Sequence, residues 1–319
     1  MGNRISRRAF MAQTALSAGL TVFASQYSGF DAPIYGAEDV PIEIERMKKK
    51  YGIAHSIAEL TPTVCAASGV RAPKTCQVDK IELVVNRLNE AFEGKPAQKV
   101  FIYCGDCFGD VLLQKHPEEF EKCIAESDVV VKSVNVMKTV TPVCFATIFC
   151  GAGPEVHGIK VYEKPQVQAE TLFDVFLEAG KKVAILSAKG NSVITIFRGR
   201  KIDYYPFPTD KEAYEKSLEV LNDYDLIVVH DCEHDTEMHK HGLDSPEAAA
   251  ARRAVLERWQ ATMAATDKAW SGYNRLYVFA TDHGSHNIDG GAKGSHGDDI
   301  ADDAIVNHFY RWRKADAAK

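Results

Sequence analysis

Cysteine and tryptophan are scarce in this chain, eight and three in 319 residues. Eight thiols are too few, at this length, to staple a small loop-rich fold. An excess of positive charge is missing too: 38 Lys and Arg stand against 44 Asp and Glu, a formal net charge of -6. That balance predicts no broad basic surface and argues against a nucleic-acid coat protein; no duplex binding is expected. Past residue 24 no apolar run approaches the ~20 residues that a bilayer-spanning helix needs. Internal repeats and low-complexity tracts are absent. What is present is ordinary: 45% hydrophobic and 26% charged residues. That is enough for a sizeable core in one large domain or two smaller ones, and too apolar for a disordered chain. One distribution is uneven. Seven of the eleven histidines fall between His230 and His296.

The N-terminus reads as an address. Arg4, Arg7 and Arg8 precede an uncharged, small-residue run from Ala9 to about Ala24. A basic start, an apolar middle and small residues at the end make a signal peptide. Ser6-Arg7-Arg8-Ala9-Phe10-Met11 resembles the bacterial twin-arginine export signal, and Val22-Phe23-Ala24 fits a cleavage site. The expected division is a signal over 1–24, a helical and loop-rich extension over 25–98, and a catalytic region over 99–319 packed with that extension as one domain. The mature chain is expected to be periplasmic or extracellular, with the twin-arginine machinery as its export partner and no membrane span after cleavage.

From Lys99 onward short β-rich runs alternate with helical runs. Strands are expected at Lys99–Tyr103, Asp128–Val131, Lys182–Leu186, Leu226–Val229 and Leu276–Ala280. Helices are expected between them, and before them at Ile42–Tyr51 and Lys80–Phe92, with a loop-rich stretch holding Cys65 and Cys76 between these two. The alternation predicts an α/β fold, a mostly parallel central sheet flanked by helices. In such sheets ligands bind beyond the carboxyl ends of the strands. Three expected strands end near metal-capable residues: Gly105-Asp106, His230 through Asp235, and Thr281-Asp282-His283.

Asp235 and His239 stand four apart, so a helix would aim both at one cation. Asp282 and His283 are adjacent past a strand, where a tight turn can direct both inward. His296 lies between Gly294 and Gly297, whose backbones permit close approach. The segment Thr139 to Ile159 reads TVTPVCFATIFCGAGPEVHGI.

Together these motifs resemble the alkaline phosphatase superfamily, and within it the type I phosphodiesterase and nucleotide pyrophosphatase branch. There a Thr or Ser nucleophile opens a helix ten residues before a Gly, and Pro-Glu-x-His-Gly-Ile follows; ten residues before Gly151 stands Thr141. Asp106 is similar to the first metal ligand of that family. Asp235 and His239 match its Asp-x-x-x-His motif, Asp282-His283-Gly284 its Asp-His-Gly motif, and His296-Gly297 its closing His-Gly. The resemblance covers Lys99 to Ala301 and implies an alkaline-phosphatase-like sandwich with two divalent ions, zinc or else manganese. One ion falls to Asp106, Thr141, Asp282 and His283, the other to Asp235, His239 and His296. The implied reaction on a small-molecule phosphoester is attack by Thr141, a phosphothreonine intermediate, and hydrolysis.

Several positions depart from that pattern. Cys107 follows Asp106 where the family has Gly, and Met238 replaces a small Gly before the ligand His. Cys144 occupies the place of a phosphate-binding Asn; a thiol is a weaker donor, which questions nucleotide substrates in particular. Among the remaining histidines His286 has the best claim to touch substrate. A formylglycine sulfatase is disfavoured, because Cys144-Phe-Ala-Thr-Ile lacks the Cys-x-Pro-x-Arg signature. Two alternatives to a phosphodiesterase stand: a phosphomonoesterase or phosphonate hydrolase on the same scaffold, and a non-catalytic metal-binding or redox protein using Cys104 and Cys107. Cys65 and Cys76 are the best disulfide candidates. Cys123, Cys150 and Cys232 are expected to pack as small hydrophobes.

Overall fold

The computed structural model of the chain describes residues 42–316. The export signal and its cleavage site lie outside the described residues. Among the described residues no helix is long and apolar enough to cross a membrane.

Among the described residues ten strands form: β1 (His55–Ser56), β2 (Lys99–Gly105), β3 (Val129–Val134), β4 (Val183–Ala188), β5 (Asp203–Phe207), β6 (Leu226–Asp231), β7 (Arg275–Ala280), β8 (His286–Ile288), β9 (Lys293–Ser295) and β10 (Ile305–Arg313). Eight make one sheet in the order β1-β3-β10-β7-β2-β6-β4-β5, while β8 and β9 pair by themselves. All neighbours in the large sheet are parallel except β10, which runs antiparallel between β3 and β7. This is the mixed, mostly parallel α/β sandwich that the alternating pattern predicts.

Both faces of the sheet are covered, which is why its central strands are continuous apolar runs. Along β2, Val100, Ile102 and Cys104 enter one core with Phe145, Phe149 and Phe173. Phe101 and Tyr103 enter the other, with Trp259, Phe279 and Phe309. The first core carries the Thr141–Cys150 helix, buried along its whole length; the second carries the long Pro246–Ala269 helix.

Several elements differ from the sequence expectation; β5 and the β8–β9 hairpin have no counterpart in it. The stretch around Cys65 is not loop-rich throughout: Leu60–Ala67 is a buried helix, and the Thr61 hydroxyl donates to the Ile148 carbonyl at 2.6 Å. The extension also supplies β1, which pairs with β3 at the sheet edge. Finally, β10 comes last in the chain yet lies inside the sheet, a non-local pairing that periodicity does not announce.

Because β2, β3, β6 and β7 run in one direction, their carboxyl ends share a rim. Asp106 leaves β2, Asp282 and His283 follow β7, the Glu233–His241 helix follows β6, and Thr141 opens the helix after β3.

Candidate metal centre

Thr141 is the first residue of its helix, capped by Val140 in extended conformation, with Pro142 in the first turn. Proline suits that place, since its missing N–H would have no helical partner there. Thr141 is buried and its Oγ1 lies 3.4 Å from His283 Nε2. His283 Nε2 is 3.1 Å from Asp282 Oδ2 and 3.6 Å from Asp106 Oδ1. Thus Asp106, Thr141, Asp282 and His283 meet at one point beneath the ends of β2 and β7. The backbone N–H of Cys107 donates to the other Asp282 oxygen at 3.1 Å. That contact needs Cys107 at φ +68°, the left-handed region that favours glycine. A β-carbon here costs about 1–2 kcal/mol of strain.

The second predicted set also assembles. Asp235 and His239 lie one turn apart on the Glu233–His241 helix, with His239 Nε2 3.4 Å from Asp235 Oδ1. His296 Nε2 lies 3.5 Å from the same oxygen and 3.1 Å from His239 Nε2. Gly294 is needed for this approach, because a side chain there would collide with Met238 Sδ and the Met238 carbonyl. Met238 in place of a small residue is therefore matched across the loop. The two sets abut, for the rings of His283 and His296 stack with centroids 3.9 Å apart.

The polar atoms are arranged as a cation would require. Nδ1 of His283 bonds the Gly284 carbonyl at 3.1 Å, that of His239 the Gly294 carbonyl at 3.1 Å, and that of His296 the Thr139 carbonyl at 2.9 Å. A carbonyl only accepts, so each Nδ1 carries the proton and each Nε2 presents a lone pair. Facing those lone pairs are Asp106 Oδ1, Asp235 Oδ1 and Asp282 Oδ2, all buried and without a hydrogen-bond partner. Lone pairs converging on lone pairs in a buried cavity are unfavourable unless a proton or a cation sits among them.

Burial sets the protonation states accordingly. It pushes the carboxyl of Asp282 up to about 8 and that of Asp106 well above the carboxylate range, the latter also through the charge of Asp282. It lowers His283 and His296 to about 3, keeping both rings neutral and able to donate a lone pair at neutral pH.

The other predicted residues make contacts of their own. Cys144 is buried and its thiol faces the Lys138 carbonyl at 3.9 Å; burial, then the charges of Asp282 and Asp106, hold it well above the ordinary thiol range. His286 is held by Asp303 at 2.7 Å and faces Asp298 at 3.4 Å. Cys104 and Cys107 pack in different cores on opposite sides of the sheet. All eight cysteines are free, Cys65 and Cys76 included.

Two residues join the centre that were expected only near it. Cys232 is not an inert core thiol: Sγ lies 3.1 Å from Asp106 Oδ2 and 3.2 Å from His230 Nε2, and His230 Nε2 lies 3.0 Å from Asp106 Oδ2. The signal was available. Period-two alternation places His230 on the face of Leu226 and Val228, and His230 pairs in register with Cys104 on β2.

No family profile and no curated protein matches the chain. Solved structures do. Human ectonucleotide pyrophosphatase/phosphodiesterase 5 superposes with a TM-score of 0.50 at 15% identity, over 68% of this chain and 88% of that one. The murine protein of the same name, in complex with AMP, gives 0.49 at 19% identity over 60% of this chain; the match spans 58% of that protein's length. The C-terminal periplasmic domain of EcEptC from Escherichia coli, in complex with Zn, gives 0.48 at 14% identity over 68% and 73% of the two chains. At 15% identity the likeness to the human protein concerns the fold alone: a large, mostly parallel sheet between helical layers.

Proposed function

We propose that the chain is a metal-dependent hydrolase of phosphoric esters, with diesters as the preferred class and Thr141 as the nucleophile. One observation carries the reading: three unpartnered carboxylate oxygens and three imidazole lone pairs converge beside a buried threonine hydroxyl at a helix start. The donors are oxygen and imidazole nitrogen, which suit zinc, with manganese next. Asp106, Asp282, His283 and Thr141 would hold one ion, and Asp235, His239 and His296 the other. When bound, such ions polarise the ester, lower the pKa of a coordinated hydroxyl and neutralise charge that develops at phosphorus.

The chain's own residues do the rest. The helix start fixes the Thr141 side chain, and its dipole favours an anion there. The Cys107 N–H and the Gly284 carbonyl hold Asp282 and His283 in place. Attack of Thr141 Oγ1 on a diester forms the O–P bond as the bond to one alcohol breaks, the hydroxyl proton ending on that alcohol. The alkyl-phosphothreonine left behind is cleaved by water to the monoester and free Thr141, and the exposed side of His239 leaves the rim open for the departing alcohol. We read the first 24 residues as a twin-arginine signal, so the mature enzyme works in the periplasm or outside the cell.

The test is turnover of a chromogenic diester, a monoester and a phosphonate by the mature chain. Diester turnover should be highest, vanish with chelator and return with zinc. Thr141→Ala should remove it. Full metal-dependent activity in Thr141→Ala would overturn the nucleophile, and a monoester or phosphonate preference would overturn the substrate class.

A further inference from the structure

The two oxygens of Asp106 face different neighbours. Oδ1 has no hydrogen-bond partner and looks toward His283, within the centre described above. Oδ2 turns the other way, to His230 and Cys232. Neither of the two proposed ion sites uses that second side.

We propose that Asp106 Oδ2, His230 Nε2 and Cys232 Sγ form a third ligand set, for a borderline-soft divalent transition-metal ion such as zinc, with Asp106 bridging it to the neighbouring set. This goes beyond the two-ion reading and adds a thiolate, which neither other set contains.

The geometry is close to what such an ion imposes. A tetrahedral zinc with bonds of ~2.0 Å to nitrogen and oxygen and ~2.3 Å to sulfur spreads its ligands to ~3.3 Å for N···O and ~3.5 Å for contacts to sulfur. The three separations here are 3.0, 3.1 and 3.2 Å, so a breathing motion of ~0.3–0.4 Å admits the ion. The donors are of three different kinds and are buried at Asp106 and His230. Cys232 is partly exposed, which leaves a fourth position for water and a way in.

His230 also differs from the three histidines of the main centre. Each of those spends Nδ1 on a backbone carbonyl. His230 meets no carbonyl; Nε2 faces Asp106 and Cys232, and Nδ1 lies 3.8 Å from the same sulfur. The ring is located instead by packing, its edge against Phe145 with centroids 4.7 Å apart.

The cysteine is anchored as a ligand should be. Its backbone N–H donates to Asp210 Oδ2 at 3.2 Å, and the other Asp210 oxygen takes Asn191 Nδ2 at 2.9 Å and the Ala188 N–H at 3.3 Å. One carboxylate thus ties the loops after β4 and β6 and fixes the thiol beside Asp106. Sulfur and imidazole select zinc, cobalt or copper over magnesium and calcium.

The experiment loads the mature chain with cobalt(II) and, separately, zinc. The cobalt form should show a near-ultraviolet thiolate-to-metal charge-transfer band that Cys232→Ser abolishes and His239→Ala retains. The zinc form should hold one more ion per chain than Cys232→Ser, counted by elemental analysis, with circular dichroism unchanged. His230→Gln provides a second variant and should also lose that ion. A cobalt protein without the band, a band that survives Cys232→Ser, or equal zinc content in the two proteins means the trio is only a hydrogen-bonded support for Asp106, and overturns the proposal. Failure of the two-ion reading looks different: His239→Ala would then lose no metal and Thr141→Ala no activity, whatever the band does.

Discussion

His283 is wholly buried under the ends of two strands, whereas His239, in the adjoining set, leaves 43% of its side chain exposed on a helix. The contrast extends to their neighbours. Asp106 and Asp282 sit at strand ends with almost no access to water, so their unpartnered oxygens have only a proton or a cation to turn to. The outer set is made from one helical turn and a glycine loop, and water can reach it when it is empty. The inner set is therefore the more closely coupled to burial and protonation, and the outer set the more open to solvent.

The largest effect expected from breaking this arrangement is at the nucleophile. Thr141→Ala should lower diester turnover on the order of 10^4-fold while metal content, by elemental analysis, barely changes. Next come the ligands. His283→Ala and His239→Ala should each cost on the order of 10^3-fold. Only the exposed one should respond to added imidazole, which can reach the gap at His239 but not the one at His283. Equal rescue of both would erase the distinction between the sets.

Chelation should lower the thermal midpoint by roughly 10 °C, since ligands at ~1,000 times their dissociation constants stabilise by ~4 kcal/mol. The shift should largely persist in His239→Ala and shrink in His283→Ala if the inner set carries the coupling to folding. Scanning fluorimetry with and without chelator measures it.

Proton linkage sharpens the contrast further. Burial pushes Asp282 up to about 8, so the metal-free carboxyl holds a proton at neutral pH. A cation needs the carboxylate, so ion uptake must release that proton, and affinity should rise with pH through about 8. Calorimetry in two buffers of different ionisation enthalpy reads the release. Proton-neutral loading at pH 7 would contradict the burial argument, and Asp282→Asn should reduce the release.

The smallest effect lies outside both sets. The Ser245 hydroxyl accepts from the Ala248 N–H at 3.1 Å and caps the Pro246–Ala269 helix. Ser245→Ala should cost about 1 kcal/mol, a few degrees in the midpoint, with turnover unchanged. If turnover fell with it, the losses at His239 and His283 could not be separated from general destabilisation.

Much of this was legible along the chain. Five of the six strands between Lys99 and Ala280 announce themselves as short apolar runs, because a sheet covered on both faces leaves little polar side to interrupt them; β5, an edge strand with half-exposed residues, does not. Asp235 and His239 could be paired from their spacing, because a helix brings residues four apart onto one face. The helix at Leu60–Ala67 was not legible: it is buried on all sides, and a short run containing Pro62 has no polar stripe to mark its period. The anchoring of His286 was equally hidden, since Asp303 lies 17 positions on, in the short helix after the β8–β9 hairpin.

What the sequence determined by itself is local: the types of donor, their order, and the strand ends and helix turns that carry them. What only the tertiary structure decided is which donors meet. Asp106 and His230 are 124 positions apart, and they touch because β2 lies between β7 and β6. That strand order aims one oxygen of Asp106 at His283 and the other at Cys232. Strand order follows from the long-range packing of two cores against one sheet, which no local period encodes, and it is this packing that places a thiol beside a shared carboxylate.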